Sequence, residues 1–224
     1  MLSLPANSLV YAISALVVVF AGHMAWALAR ADRANAFGRA GFTVIGIGLV
    51  LAVIYGHTPP LTTLRADTFF VLPVMIVSVI LYFVAMGATA RGQRYFKEAA
   101  LQPIITTYLW RTVFGSGLLI LGLSGGLPPA FFWSAAFGDI AVGLWALAIR
   151  ARLPSVSGLE LRAWNSLGLL DLLHVLTLGA LNLNAFYGAN PQIAPLTLLP
   201  IFGVPLFIAT HIHLYRTIAA RSAR

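Results

Sequence analysis

Four side chains able to carry proton or ion chemistry fall inside long apolar runs: Arg111, Asp139, Asp171 and His174. Charge at bilayer depth is expensive unless it is paired or hydrated, so such residues mark a candidate site by default. The Arg111 guanidinium stays protonated and faces two carboxylates. One negative charge is left over when both are ionised. Protonating His174, keeping one Asp neutral or binding a cation would each cancel that charge, and each couples protonation to what binds there. Asp171 and His174 are three residues apart and share a helix face, so the spacing predicts a pair that takes and releases a proton. A static ion-pair network that fixes helix packing is the other reading of the same residues.

A second set comprises His23 and His211. Two imidazoles on opposed helices suit axial ligation of a haem b iron, and ligation by His alone also suits copper or zinc. His213 is two residues from His211 and points to another face. With Tyr215 and Arg216 it reads as an anchor at the membrane interface. The chain has no cysteine, which excludes disulfides, thiolate ligands and cysteine nucleophiles. Its only lysine, Lys97, lies in a connecting loop, so a covalent retinal Schiff base inside the bundle is excluded. No glycine-rich phosphate loop or serine-elbow motif stands out, and whether the chain is an enzyme stays open.

The elements that must position these groups follow from composition. Of 224 residues, 60% are hydrophobic and 9% charged, against roughly 25% charged in a soluble domain. Mean hydropathy is +0.90. The formal net charge of +8 lies in short loops between apolar runs. It therefore reads as a membrane-orientation signal, and no nucleic-acid partner is expected. About 20 apolar residues cross a bilayer as a helix. Seven segments qualify, at residues 8–29, 40–56, 69–89, 101–123, 130–150, 161–182 and 196–217. The first is about twice the length of a signal-peptide core, so it is expected in the mature chain. The pattern predicts an all-α, polytopic transmembrane bundle of about seven helices, forming a single domain over 1–224.

Twelve of the 14 basic residues fall in alternate connections or at the C-terminal end: Arg30, Arg33, Arg39, Arg91, Arg94, Lys97, Arg150, Arg152, Arg162, Arg216, Arg221 and Arg224. Positive loops stay cytoplasmic. The N-terminus is therefore expected outside the cytoplasm and the C-terminus inside, in a multi-pass protein of the inner membrane. Counting helix rise from the nearest of these residues puts Arg111 ~21 Å deep, Asp139 ~16 Å, Asp171 ~13 Å and His174 ~18 Å. The same count puts His23 ~10 Å and His211 ~8 Å from the inner face. Gly115, Gly143 and Gly168 lie beside the charges, where small residues let helices approach closely. Pro200, Gly203 and Pro205 are expected to kink the last helix or open its hydrogen-bond ladder.

The stretch from Arg111 to Gly143, with Gly115, Leu127-Pro128 and Gly138-Asp139 between them, resembles an R-x3-G…LP…G-D-x3-G pattern of uncharacterised multi-pass membrane proteins of bacteria. The resemblance implies no activity, and it adds weight to Arg111 and Asp139 as a pair. Three functions are compatible with these residues. The first is a small ion- or proton-coupled carrier, or a related ligand-binding membrane protein, built on Arg111, Asp139, Asp171 and His174. The second is a membrane redox protein holding haem b or a metal through His23 and His211. The third is a non-catalytic subunit whose intramembrane charges pair with a partner, in a homo-oligomer or a membrane complex.

Overall fold

The computed structural model describes residues 4–31, 88–181 and 199–222, with isolated positions 77, 81, 84, 85 and 196. The span expected at 40–56, most of that at 69–89 and the connection 182–195 lie outside the described residues. Every regular element among the described residues is helical: α1 (Leu4–Ala31), α2 (Ala90–Glu98), α3 (Leu101–Thr107), α4 (Leu109–Leu123), α5 (Pro129–Arg152), α6 (Gly158–Leu181) and α7 (Val204–Ser222). Three stretches are long and apolar enough to cross a membrane: Leu101–Leu123, Pro129–Arg152 and Gly158–Leu181. Ser8–Met24 is a shorter apolar helical stretch within α1.

The Leu101–Leu123 stretch tightens in its middle. Tyr108 N–H donates to the Ile105 carbonyl, and Arg111 N–H to the Tyr108 carbonyl. Both bonds span three residues, as in a 3₁₀ turn, so the ladder resets just before Arg111. Thr107 adds to this by donating its hydroxyl to the Ile104 carbonyl at 2.7 Å. At the far end of α4, Gly125 takes φ +76°. Its N–H bonds the Gly122 carbonyl while Gly126 N–H reaches Leu121, both at 2.9 Å. This paired closure by a left-handed glycine ends the helix and satisfies its last carbonyls. Pro129 at the first turn then starts α5 where a missing N–H costs nothing. The short connection lays α5 back along α4, and α6 returns along α5.

α1 packs on α3 and α4, and α7 closes the group by packing on α6. Phe20 of α1 stacks on Phe207 of α7 at 4.4 Å between centroids and meets Phe114 of α4 edge-on at 5.7 Å. Before α7 the chain forms a π-helical turn over Leu199–Gly203. Pro205 has no N–H to give the Ile201 carbonyl, so a regular α-ladder cannot run through this stretch. α2 is an element that a search for 20-residue apolar runs does not find. It is capped by Thr89, whose hydroxyl accepts from Gly92 N–H at 3.0 Å. It buries Gly92, Tyr95 and Phe96. Arg91, Arg94 and Lys97 are exposed. This is the three-and-four spacing of an amphipathic helix.

Candidate functional site

Arg111 is 0% exposed and uses three of its nitrogens on three different groups. Nε donates to Asp139 Oδ1 on α5 at 2.6 Å. Nη1 donates to the Gly168 carbonyl on α6 at 2.8 Å, and Nη2 donates to Asp171 Oδ2, also on α6. The guanidinium carbon lies 5.8 Å from the centre of the Phe207 ring on α7, within cation–π range. One side chain therefore ties four helices together. The Asp139 and Asp171 side chains keep 15% and 17% of their surface exposed while Arg111 keeps none. The carboxylates, not the guanidinium, form the open edge of the cluster.

Glycines make this approach possible. A Cβ on Gly115 would lie 2.7 Å from the Ala136 carbonyl oxygen and 2.9 Å from Asp139 Cβ. One on Gly143 would lie 2.7 Å from Thr112 N. These two positions let α4 and α5 touch backbone to backbone. A Cβ on Gly138 would collide with the Asp171 carboxylate, and one on Gly168 would lie 2.7 Å from His211 Cε1.

The residues expected to share a site are only partly together. Arg111, Asp139 and Asp171 meet directly. His174 lies exposed on α6. Among the described residues it makes no hydrogen bond to Asp171, whose Oδ2 is taken by Arg111. Asp171 is turned inward to Arg111, and three residues further on the helix has rotated the side chain off that line.

His211 is fully buried, with Nδ1 2.8 Å from Asn165 Oδ1. It packs edge-on to Tyr108 at 4.8 Å. His23 is half-buried and its Nδ1 accepts from Trp110 Nε1–H at 2.8 Å. An indole N–H can only donate, so the lone pair of a neutral His23 ring is already taken and its Nε2 carries the hydrogen. Axial ligation of a haem by His23 would require Trp110 to let go. Among the described residues no group of three or more His, Asp or Glu side chains is placed to hold a metal ion.

His213 is buried in a contact with α2, its Nε2 2.6 Å from the Tyr95 hydroxyl. Tyr215 is half-buried and bonded to the Ser166 hydroxyl, and Arg216 is exposed.

Sequence reasoning did not single out Asn165 or the Gly168 carbonyl. The signal was present: Asn165, Gly168 and Asp171 recur every three residues along α6.

Apolar helices of spanning length, with an arginine and two aspartates bonded together between them, define a membrane protein with a buried charge cluster. Residues 68–218 match the family model of a domain of unknown function, DUF8737, and the chain belongs to this family. The matched region contains Arg111, Asp139, Asp171 and His211, whereas His23 on α1 lies before it. No curated protein and no solved structure matches the chain.

Proposed function

We propose that this is a multi-pass protein of the inner membrane that binds a proton or a small cation at the Arg111–Asp139–Asp171 cluster and couples it to a ligand or carried solute. In this reading the bundle has about seven spans, the N-terminus is outside and the C-terminus is cytoplasmic. The one-sided distribution of twelve basic residues supports the orientation.

The observation that carries the proposal is the bonding of one guanidinium to two carboxylates. Arg111 brings one positive charge and the aspartates up to two negative ones. In a low-dielectric site such an imbalance is costly. A proton on one carboxyl, or a cation at the open edge of the pair, removes it. Arg111 keeps its proton and is fully buried, whereas the carboxylates form the open edge, so the exchangeable species belongs on them.

Infrared difference spectra of the protein in liposomes test this. The expected result is a carboxylic-acid C=O band that grows as pH falls, diminishes on adding sodium or potassium, and is lost in Asp139→Asn or Asp171→Asn. If no carboxyl band responded to pH or to either cation, the cluster would be a fixed structural network and the proposal would fall.

A further inference from the structure

Asn165 makes two hydrogen bonds to His211, and together they fix where the imidazole carries its hydrogen. A backbone carbonyl can only accept, so the atom 3.0 Å from the His211 carbonyl oxygen is the amide nitrogen Nδ2. That leaves Oδ1, which also only accepts, 2.8 Å from His211 Nδ1. Nδ1 therefore holds the hydrogen. In the neutral ring Nε2 presents a bare lone pair.

That lone pair is fully buried, and no donor among the described residues reaches it. Buried acceptors are nearly always paired, and an unmet one asks for a functional reason. Its surroundings supply one. Nε2 faces Gly168, where a Cβ would lie 3.2 Å away, and the carbonyl of that glycine is the third acceptor of Arg111. That one glycine thus links the imidazole to the guanidinium. The other titratable group against it is Tyr108, edge-on from the α3–α4 junction. Asp139 on α5 and Asp171 on α6 are held by the same guanidinium. On α7 itself, His213 and Tyr215 turn to Tyr95 and Ser166 instead.

We propose that His211 Nε2 is the second proton acceptor of the Arg111 site, with Asn165 as its positioning residue. The inference rests on the proton- or cation-coupled reading of the cluster. With both carboxylates ionised, Arg111 and a protonated His211 balance them two against two. Moving a proton from a carboxylic acid to Nε2 breaks one O–H bond, forms one N–H bond and conserves total charge. His211 would thus fill the role that spacing alone gave to His174.

The test is nitrogen NMR of the full-length protein in liposomes, with ¹⁵N-labelled histidine. The His211 signal is assigned by its loss in His211→Gln. Should that variant not fold, replacing the other four histidines one at a time assigns it by elimination. The expected wild-type state is Nδ1–H with a bare Nε2, and Asn165→Leu should convert it to an Nε2–H form or a mixture. Asp139→Asn and Asp171→Asn should each weaken proton binding at Nε2 by about tenfold or more, one unit of midpoint. A wild-type Nε2–H ring, or proton binding indifferent to both aspartates, overturns the inference. A carboxyl infrared band that responds to pH while His211 is Nε2–H would sink this inference alone. A silent carboxyl band would sink the reading of the cluster whatever the tautomer.

Discussion

The Asp171 carboxylate occupies the space in which a side chain on Gly138 would begin. α5 and α6 are therefore pressed together at the aspartate that Arg111 holds. Gly138→Ala must displace Asp171 and weaken its bond to Arg111. Gly179→Ala in α6 is the control, because among the described residues its Cβ would meet only Phe131 Cε2, at an ordinary 3.7 Å. In one detergent, thermal unfolding should occur clearly earlier for Gly138→Ala. Gly179→Ala should be neutral or gain up to about 1 kcal/mol from helix propensity. Equal unfolding temperatures for Gly138→Ala and wild type would mean that the cluster is not closely packed.

Removing Arg111 leaves two buried carboxylates without their cation. Breaking a buried pair by deleting one partner costs about 3–5 kcal/mol, whereas replacing the whole set by neutral groups is often tolerated. Arg111→Met alone should therefore lower the yield of monodisperse protein sharply. The triple variant Arg111→Met, Asp139→Asn, Asp171→Asn should recover much of the loss. Size-exclusion profiles from membranes extracted in parallel decide this, and a triple variant no better than the single one would argue against a self-contained charge balance.

Much of this arrangement was legible in the chain. Arg111, Asp139 and Asp171 stood out because lipid makes any charge conspicuous, and Gly115, Gly143 and Gly168 because close helix packing needs small residues. The last element could be read through Pro205, whose missing N–H disrupts the ladder whatever the surroundings. Other features depended on orientation. His174 and His211 both look like site histidines in one dimension. Which one faces Arg111 depends on how α6 and α7 are rotated, and the polar residues of α6, among them Arg162, Ser166, Asp171 and Thr177, are spread around the helix, so its sequence gives little rotational preference. α2 was missed for a simpler reason: its buried face is Gly92, Tyr95 and Phe96, too short to register as a span.

The bond from Trp110 to His23 makes a spectroscopic prediction. Because the His23 lone pair accepts from the indole, the wild-type protein from haem-supplied cells should show no low-spin bis-imidazole spectrum. Trp110→Phe frees Nδ1 and should cost about 1 kcal/mol, the net value of a hydrogen bond. A sharp Soret band in the purified wild type, lost in His23→Gln and in His211→Gln, would show that Trp110 releases His23 and would favour the redox reading.

α2 is tied to α7 at two places, and each tie can be cut without touching the charge cluster. Tyr95 meets His213 Nε2 at 2.6 Å in a buried contact, and Arg221 Nη2 donates to the Ala99 carbonyl at 2.7 Å. Tyr95→Phe keeps the ring and its edge-on packing on His213 but removes the hydroxyl, leaving a buried imidazole nitrogen with a lost partner. Such a loss costs about 1–3 kcal/mol. The cost should be local, because the apolar face of α2 is only two aromatic rings and a glycine. Local opening of this kind exposes backbone to proteases long before the whole bundle unfolds. α2 carries its own reporters in Arg91, Arg94 and Lys97, all trypsin sites within nine residues. Tyr95→Phe should therefore accelerate tryptic cleavage at these positions, and adding Arg221→Gln should accelerate it further. The carboxyl infrared band of Asp139 and Asp171 should be unchanged in both variants. Cleavage at the wild-type rate in the double variant would mean that α2 is held by something other than these two bonds.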